Sequence, residues 1–190
     1  MKRAVFLDRD GVINEAPIRD GRPYSPATLA EFRILPGVPE ALRTLDARGF
    51  VLIVATNQPD VGAGKQERDV VEAMHRRLMA ELPLRDVVVC YHTDDAKCDC
   101  RKPRPGMLRR AAEAWDVDLR SSYMIGDRWR DVDAGRAAGC RTIFIDRGYT
   151  EPLQQTPHAT CRDLPEAAAL ILARAPEHPE AADVARGARR

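Results

Sequence analysis

Val5-Phe6-Leu7-Asp8-Arg9-Asp10-Gly11-Val12 is the stretch on which the fold turns. An apolar run from Ala4 to Leu7 stops abruptly at two aspartates spaced i, i+2, and a glycine follows. A short apolar strand that ends in acids delivers carboxylates to the C-terminal edge of a sheet. In open α/β sheets that edge is where ligands bind. The question for the remaining sequence is whether other segments bring matching groups to the same edge.

Working outward, the pattern alternates strand and helix. Arg3–Leu7, Val51–Ala55, Val87–Tyr91, Tyr123–Ile125 and Thr142–Ile145 are short, nearly continuous apolar runs, as strands covered on both faces should be. Between them, Val38, Ala41, Leu42 and Leu45 fall at helical offsets, and Gly49 closes that segment. Gln66–Leu82, Pro105–Trp115, Arg130–Ala138 and Leu164–Leu172 carry similar stripes. Strands alternating with helices predict a doubly wound, Rossmann-like α/β fold with a mainly parallel sheet. Two segments break the alternation. Gly11–Arg33 is too long for an ordinary βα loop and has the length of an active-site flap; Tyr91–Arg104 follows Cys90 and carries Cys98 and Cys100. One domain is expected over residues 1–175, with residues 176–190 a flexible tail.

Bulk properties narrow the class. The chain has 190 residues, 44% hydrophobic and 31% charged, which suits a globular domain with a real core. A formal net charge of +1 argues against a general polyanion binder. No apolar run approaches the roughly 20 residues of a membrane span, and the opening residues do not read as a signal segment. The expectation is a cytoplasmic protein, probed by neither membrane nor nucleic acid, acting as a monomer. Five cysteines in such a compartment need an account other than structural disulfides. Cys90, His92, Cys98 and Cys100 form C-x-H-x5-C-x-C, a closed set of soft ligands suited to structural Zn²⁺ in a loop spanning 90–104. Cys140 and Cys161 are isolated and read as core, as does Trp115. His75, His158 and His178 read as surface residues.

The predicted strand ends can then be compared. The first ends at Asp8 and Asp10, and the second runs into Thr56-Asn57-Gln58. After the third and the cysteine loop comes Arg101-Lys102-Pro103; the fourth runs into Gly126-Asp127, with Asp131 four residues on. Converging carboxylates need a cation, and hard oxygen ligands suit Mg²⁺. A hydroxyl, an amide and a lysine beside that metal can hold a phosphoryl group. The chemistry this suggests is phosphoryl transfer to a carboxylate.

The order DxDG, TNQ, RKP and GDxxxD resembles that of the haloacid dehalogenase (HAD) superfamily of aspartate-nucleophile phosphatases. The resemblance implies a sheet of order 5-4-1-2-3 without a large cap domain. It makes Asp8 the nucleophile and Asp10 the acid/base, with Thr56 and Lys102 holding the phosphoryl group. Mg²⁺ would sit on Asp8, Asp127 and the backbone carbonyl of Asp10. Asp131 would cap its helix and assist the metal indirectly. The cysteine loop and the run CDCRKPRPGML resemble those of heptose 1,7-bisphosphate phosphatases and, next to them, histidinol-phosphate phosphatases. In that branch the 7-phosphate of a phosphorylated sugar is removed, Arg101 helps to hold the substrate, and Asn57 either touches it or braces its loop. Pro59-Asp60-Val61 and Ala63-Gly64 depart from the Ser-Gly-Ile and Arg-Gly of that pattern. A polynucleotide 3′-phosphatase and a non-catalytic zinc-containing binding module are the further alternatives.

Overall fold

The structure is a computed structural model, and it describes residues 1–174. The expected tail, 176–190, and His178 lie outside the described residues. In chain order the elements are β1 (Arg3–Leu7), β2 (Ile18–Arg19), β3 (Arg22–Pro23), α1 (Val38–Ala47), β4 (Phe50–Asn57), α2 (Pro59–Gly62) and α3 (Arg68–Glu81). Then come β5 (Asp86–Cys90), α4 (Gly106–Trp115), β6 (Tyr123–Gly126), α5 (Trp129–Ala138), β7 (Arg141–Ile145), β8 (Ala159–Cys161) and α6 (Leu164–Arg174).

The main sheet is parallel, in the order β5-β4-β1-β6-β7-β8. Its five expected strands stand as 5-4-1-2-3 requires, with β1 between β4 and β6. The sixth, β8, extends the edge beyond β7; three residues of mixed polarity gave it no apolar run to be read by.

Alternation along β1 builds two cores. Val5 and Leu7 point to one face, packed with residues of α1, α3 and α6 such as Leu42, Met74 and Ile171. Ala4 and Phe6 point to the other, packed with Met107, Leu108 and Ala111 of α4. On that second face α5 lies so close that a Cβ on Gly135 would meet Met124 at 2.7 Å. Helices after β1 and β4 therefore cover one face, and those after β5 and β6 the other. The faces change over between β1 and β6, so the crevice at a topological switch point opens at the ends of these two strands. Asp8 and Asp127 stand there.

The long connection after β1 is structured. Its middle is a two-stranded hairpin, β2–β3, turning at Asp20 and Gly21. Thr150 N donates to Gly21 O at 3.3 Å and Arg147 Nε to Gly11 O at 2.9 Å, which tie this flap to the loop after β7. No cap domain is inserted among the described residues. Cys140 and Cys161 are buried core residues, and Trp115 is half-buried, its Nε1 donating to Asp86 at 3.0 Å. His158 is exposed. His75 corrects the surface expectation: it is 4% exposed, because it occupies the inward stripe of α3 with Val71, Met74 and Leu78. No described helix is long and apolar enough to cross a membrane.

Candidate active site

β1 ends where its carbonyl edge meets those of β4 and β6, and Asp8 is the first residue beyond the pairing. Its backbone N–H donates to Ile125 O at 2.9 Å. One carboxylate oxygen accepts from Arg9 N at 2.8 Å and lies 2.9 Å from Lys102 Nζ. Lys102 is buried, and its Nζ also lies 2.5 Å from Asp131 Oδ1. The lysine is aimed from the backbone: Asn57 at the end of β4 donates to Lys102 O at 3.0 Å and accepts from Lys102 N at 3.1 Å. Of the two roles open to Asn57, bracing is visible here, although the residue also faces the cavity.

Asp127 follows β6 directly and is buried, with Oδ2 accepting from Tyr149 Oη at 2.8 Å and Oδ1 left without a partner. Asp131 accepts from the Arg128 N–H at 3.0 Å, closing the first turn of α5 while its other oxygen meets Lys102. Oxygens of Asp8, Asp127 and Asp131 lie within 4.8 Å of one another. Three buried carboxylates beside one ammonium leave uncompensated negative charge. Burial, then the Asp131 charge, push the Asp8 carboxyl up to about 6 despite Lys102. Burial, then the Asp8 and Asp131 charges, raise Asp127 well above the usual carboxylate range. The orphaned Asp127 Oδ1 and this excess charge fit a hard divalent cation.

The approach of the flap to this cluster is close. A Cβ on Gly11 would stand 1.8 Å from Asp127 Oδ2, and Gly11 has φ +81°, so the position needs glycine on both counts.

Asp10 has a different environment. Arg9 forks onto it, Nε to Oδ1 at 3.1 Å and Nη2 to Oδ2 at 2.9 Å. Asn14 Nδ2 donates at 2.8 Å, Ser25 Oγ at 2.8 Å and Gln58 Nε2 at 2.9 Å. Gln58 Nε2 also reaches Thr56 Oγ1 at 2.9 Å. Burial raises the Asp10 carboxyl, but the Arg9 charge and these donors outweigh it and hold it below its usual value. Two neighbouring aspartates thus sit in opposite electrostatic settings.

A cavity of about 230 Å³ opens over Asp8, Asp10 and Lys102. Its walls come from the flap (Arg22, Tyr24, Ser25), from Pro59 and Asp60 of α2, and from Arg128, Arg130 and Glu151. Arg128 is forked onto Glu151. Arg101, expected beside the substrate, lines an adjoining groove; its guanidinium donates to Asp94 Oδ1 at 2.7 Å and to His92 O at 3.3 Å. Arg130 reaches the same Asp94 carboxylate at 3.1 and 3.3 Å.

The cysteine loop gathers as its spacing suggested. Cys90 Sγ lies 3.6 Å from His92 Nδ1 and 3.7 Å from Cys98 Sγ; Cys100 Sγ lies 3.2 Å from Cys90, 3.3 Å from Cys98 and 3.3 Å from His92 Nδ1. A disulfide needs about 2.05 Å, so these are thiols. A tetrahedral zinc site with Zn–S of about 2.3 Å puts its ligands about 3.7 Å apart, and the four groups fit such a shell after a small expansion.

Several residues of the site were not singled out from sequence. Tyr149 lies four residues past the end of β7, in a loop that no pattern marks. Ser25, Arg22 and Asn14 sit in the flap, where no periodicity marks them. Arg9, between the two acids, is 0% exposed.

A parallel sheet of this order, with acids and a lysine gathered at its carboxyl edge, defines a HAD-like hydrolase. The family described as HAD-hydrolase-like matches residues 99–167. The D-glycero-β-D-manno-heptose-1,7-bisphosphate 7-phosphatase of Pseudomonas aeruginosa is 40% identical over 151 residues, 76% of this chain and 81% of its own. That of Escherichia coli K12 is 36% identical over 156 residues, 76% of this chain and 78% of its own. The crystal structure of the D,D-heptose 1,7-bisphosphate phosphatase of B. bronchiseptica, complexed with magnesium and phosphate, superposes with a TM-score of 0.76 at 29% identity, over 91% of this chain and 99% of that one. The chain belongs to the family of HAD-like phosphatases that these heptose bisphosphate phosphatases represent.

Proposed function

We propose that the protein hydrolyses the 7-phosphate of a D-glycero-D-manno-heptose 1,7-bisphosphate, with the β anomer of its relatives as the first candidate. Asp8 attacks phosphorus in line, the bond to the C7 oxygen breaks, and an aspartyl-phosphate forms on Asp8. Asp10 gives its proton to the leaving alkoxide, then takes one from the water that attacks the aspartyl-phosphate. Lys102 Nζ neutralises charge on the phosphoryl oxygens, and Thr56 Oγ1 donates to one of them. Mg²⁺ would be held by Asp8, Asp127 and the Asp10 carbonyl, with Asp131 beside them; when bound it supplies positive charge to the phosphoryl oxygens.

The donors on Asp10 keep it ionised, the state its second task starts from, since only the carboxylate can accept a proton. For the first task it must shed donors and be protonated. Ser25 belongs to the flap, so entry of a substrate beneath the flap removes one donor as it arrives. The four-ligand zinc shell is closed and has no place for substrate. Its role is to fix the loop that leads into Lys102.

The observation that carries the reading is the buried Asp8–Lys102–Asp131–Asp127 cluster, in a chain 34–40% identical to phosphatases named for this substrate. The test is phosphate release with Mg²⁺ from both anomers of the bisphosphate, from histidinol phosphate and from 3′-phosphorylated oligonucleotides. The heptose bisphosphate is expected to react fastest, and Asp8→Asn is expected to lose at least about 10³-fold in kcat while staying folded. Preference for another ester rejects the substrate; full activity in the Asp8→Asn variant rejects the mechanism.

A further inference from the structure

Arg9 is the largest fully buried side chain among the described residues, and no role in binding or bond breaking falls to it. Its guanidinium is fixed on three sides. Two nitrogens fork onto Asp10. The ring of Phe32 lies 5.8 Å from Cζ. The third nitrogen, Nη1, lies 3.1 Å from His75 Nε2.

A guanidinium donates and never accepts. The 3.1 Å contact therefore requires a lone pair on His75 Nε2, which means a neutral ring protonated on Nδ1. The surroundings agree. Nδ1 faces Glu72 Oε2 at 3.6 Å, and the other Glu72 oxygen accepts from Tyr91 Oη. Burial, then the Arg9 charge, push the His75 imidazole down to about 4. So a chain of polar contacts runs from Tyr91, inside the cysteine loop, through Glu72 and His75 to Arg9 and Asp10. A bidentate fork fixes the plane of the carboxylate it holds. Whatever fixes the fork fixes that plane.

We propose that His75 is a positioning residue for the reaction: as a neutral ring it accepts from Arg9, and so holds the guanidinium that orients the Asp10 carboxyl toward the leaving oxygen. The inference rests on the acid/base reading of Asp10 given above.

Loss of the acceptor lets the guanidinium turn, and misalignment of an acid by a fraction of an ångström costs rate rather than binding. The full-length protein with Mg²⁺ is compared with His75→Leu, His75→Gln and Asp10→Asn on two esters. One is the sugar phosphate, whose alkoxide must be protonated to leave. The other is p-nitrophenyl phosphate, whose phenolate leaves without a proton. His75→Leu is expected to lower kcat/KM about tenfold on the sugar phosphate and less than about twofold on the aryl ester, in the same sense as Asp10→Asn. His75→Gln, which offers Arg9 an amide oxygen, is expected to recover most of the loss. In the ¹⁵N spectrum of the unaltered protein His75 Nε2 should resonate as an unprotonated ring nitrogen, a readout that needs no variant.

Equal losses on both esters, equal losses in the Leu and Gln variants, or a protonated Nε2 would overturn the positioning role. If Asp10→Asn itself spares the sugar phosphate, the acid/base reading fails instead. If Asp10→Asn behaves as an acid-deficient enzyme while His75→Leu is silent, only the present inference fails.

Discussion

At the scale of single residues, the site works by giving like groups unlike surroundings. Asp8 sits among other carboxylates and is pushed up to about 6 by burial first and Asp131 second. As the proposed nucleophile it must be ionised, so at low Mg²⁺ the rate should fall as the pH drops below about 6. A bound cation favours the carboxylate, and raising Mg²⁺ should move this acid limb of the kcat/KM profile to lower pH. A limb that stays put as Mg²⁺ is titrated would mean that Asp8 is not the group being read. Gly11 makes a sharper demand. Its absent Cβ is the space that Asp127 Oδ2 fills, so Gly11→Ala should displace that oxygen as well as strain a left-handed backbone. At least a tenfold loss of activity, with weaker Mg²⁺ affinity by calorimetry, is expected. Asp8, Asp10 and Asp127 were legible in the sequence because each stands just past a strand end, and Lys102 because the cysteine loop runs straight into it. His75 was not, although its signal was present: counted from Val71, the offsets 0, 3, 4 and 7 include it.

At the scale of elements, the groups of the site are held by segments that meet through side-chain hydrogen bonds and ion pairs at the sheet edge. Lys102 arrives on the cysteine loop and is pinned by Asn57 from β4. Asn57→Ala removes both bonds and should lower kcat about tenfold, with a smaller change in melting temperature than Cys98→Ser causes. Cys98→Ser should lower both, together with zinc content measured by elemental analysis. Unchanged stability in a zinc-free Cys98→Ser protein would remove the metal from the account of this loop. Five of the helices could be read from apolar period and five of the strands from apolar runs, signals that respond to burial against a sheet; α2, four residues long with none buried, could not. The β2–β3 hairpin and β8 could not, because they are two or three residues long and bury little. Their positions come from contacts with distant loops, such as Thr150 with Gly21, and no local pattern encodes those.

At the scale of the molecule, two cores on opposite faces of one sheet fix where the crevice falls. Leu42 is wholly buried in the first of them, away from the cavity. Leu42→Ala should cost about 3 kcal/mol of unfolding free energy while leaving KM for the phosphate ester unchanged. Urea unfolding and steady-state kinetics check the two halves of that statement; a shifted KM would show that the core and the site are not separable. The central place of β1 has a further consequence, in time rather than space. β1 is made first, but one of its two neighbours, β6, follows far later; the Ser122 hydroxyl just before it bonds to Ala4 across 118 residues. A growing chain that has released β4 and β5 still has an open edge on its central strand, where Val5–Leu7 lack their partners Tyr123–Ile125. Contacts so distant in sequence slow folding, and an unpaired apolar edge recruits other chains. Ribosome-bound chains halted before residue 123 should be captured by holdase chaperones, and release should coincide with the emergence of β6. The strand that leads into Asp8 is thus the first to be synthesised and among the last to be secured, so a chain lacking β6 has not assembled the Asp8–Asp127 cluster.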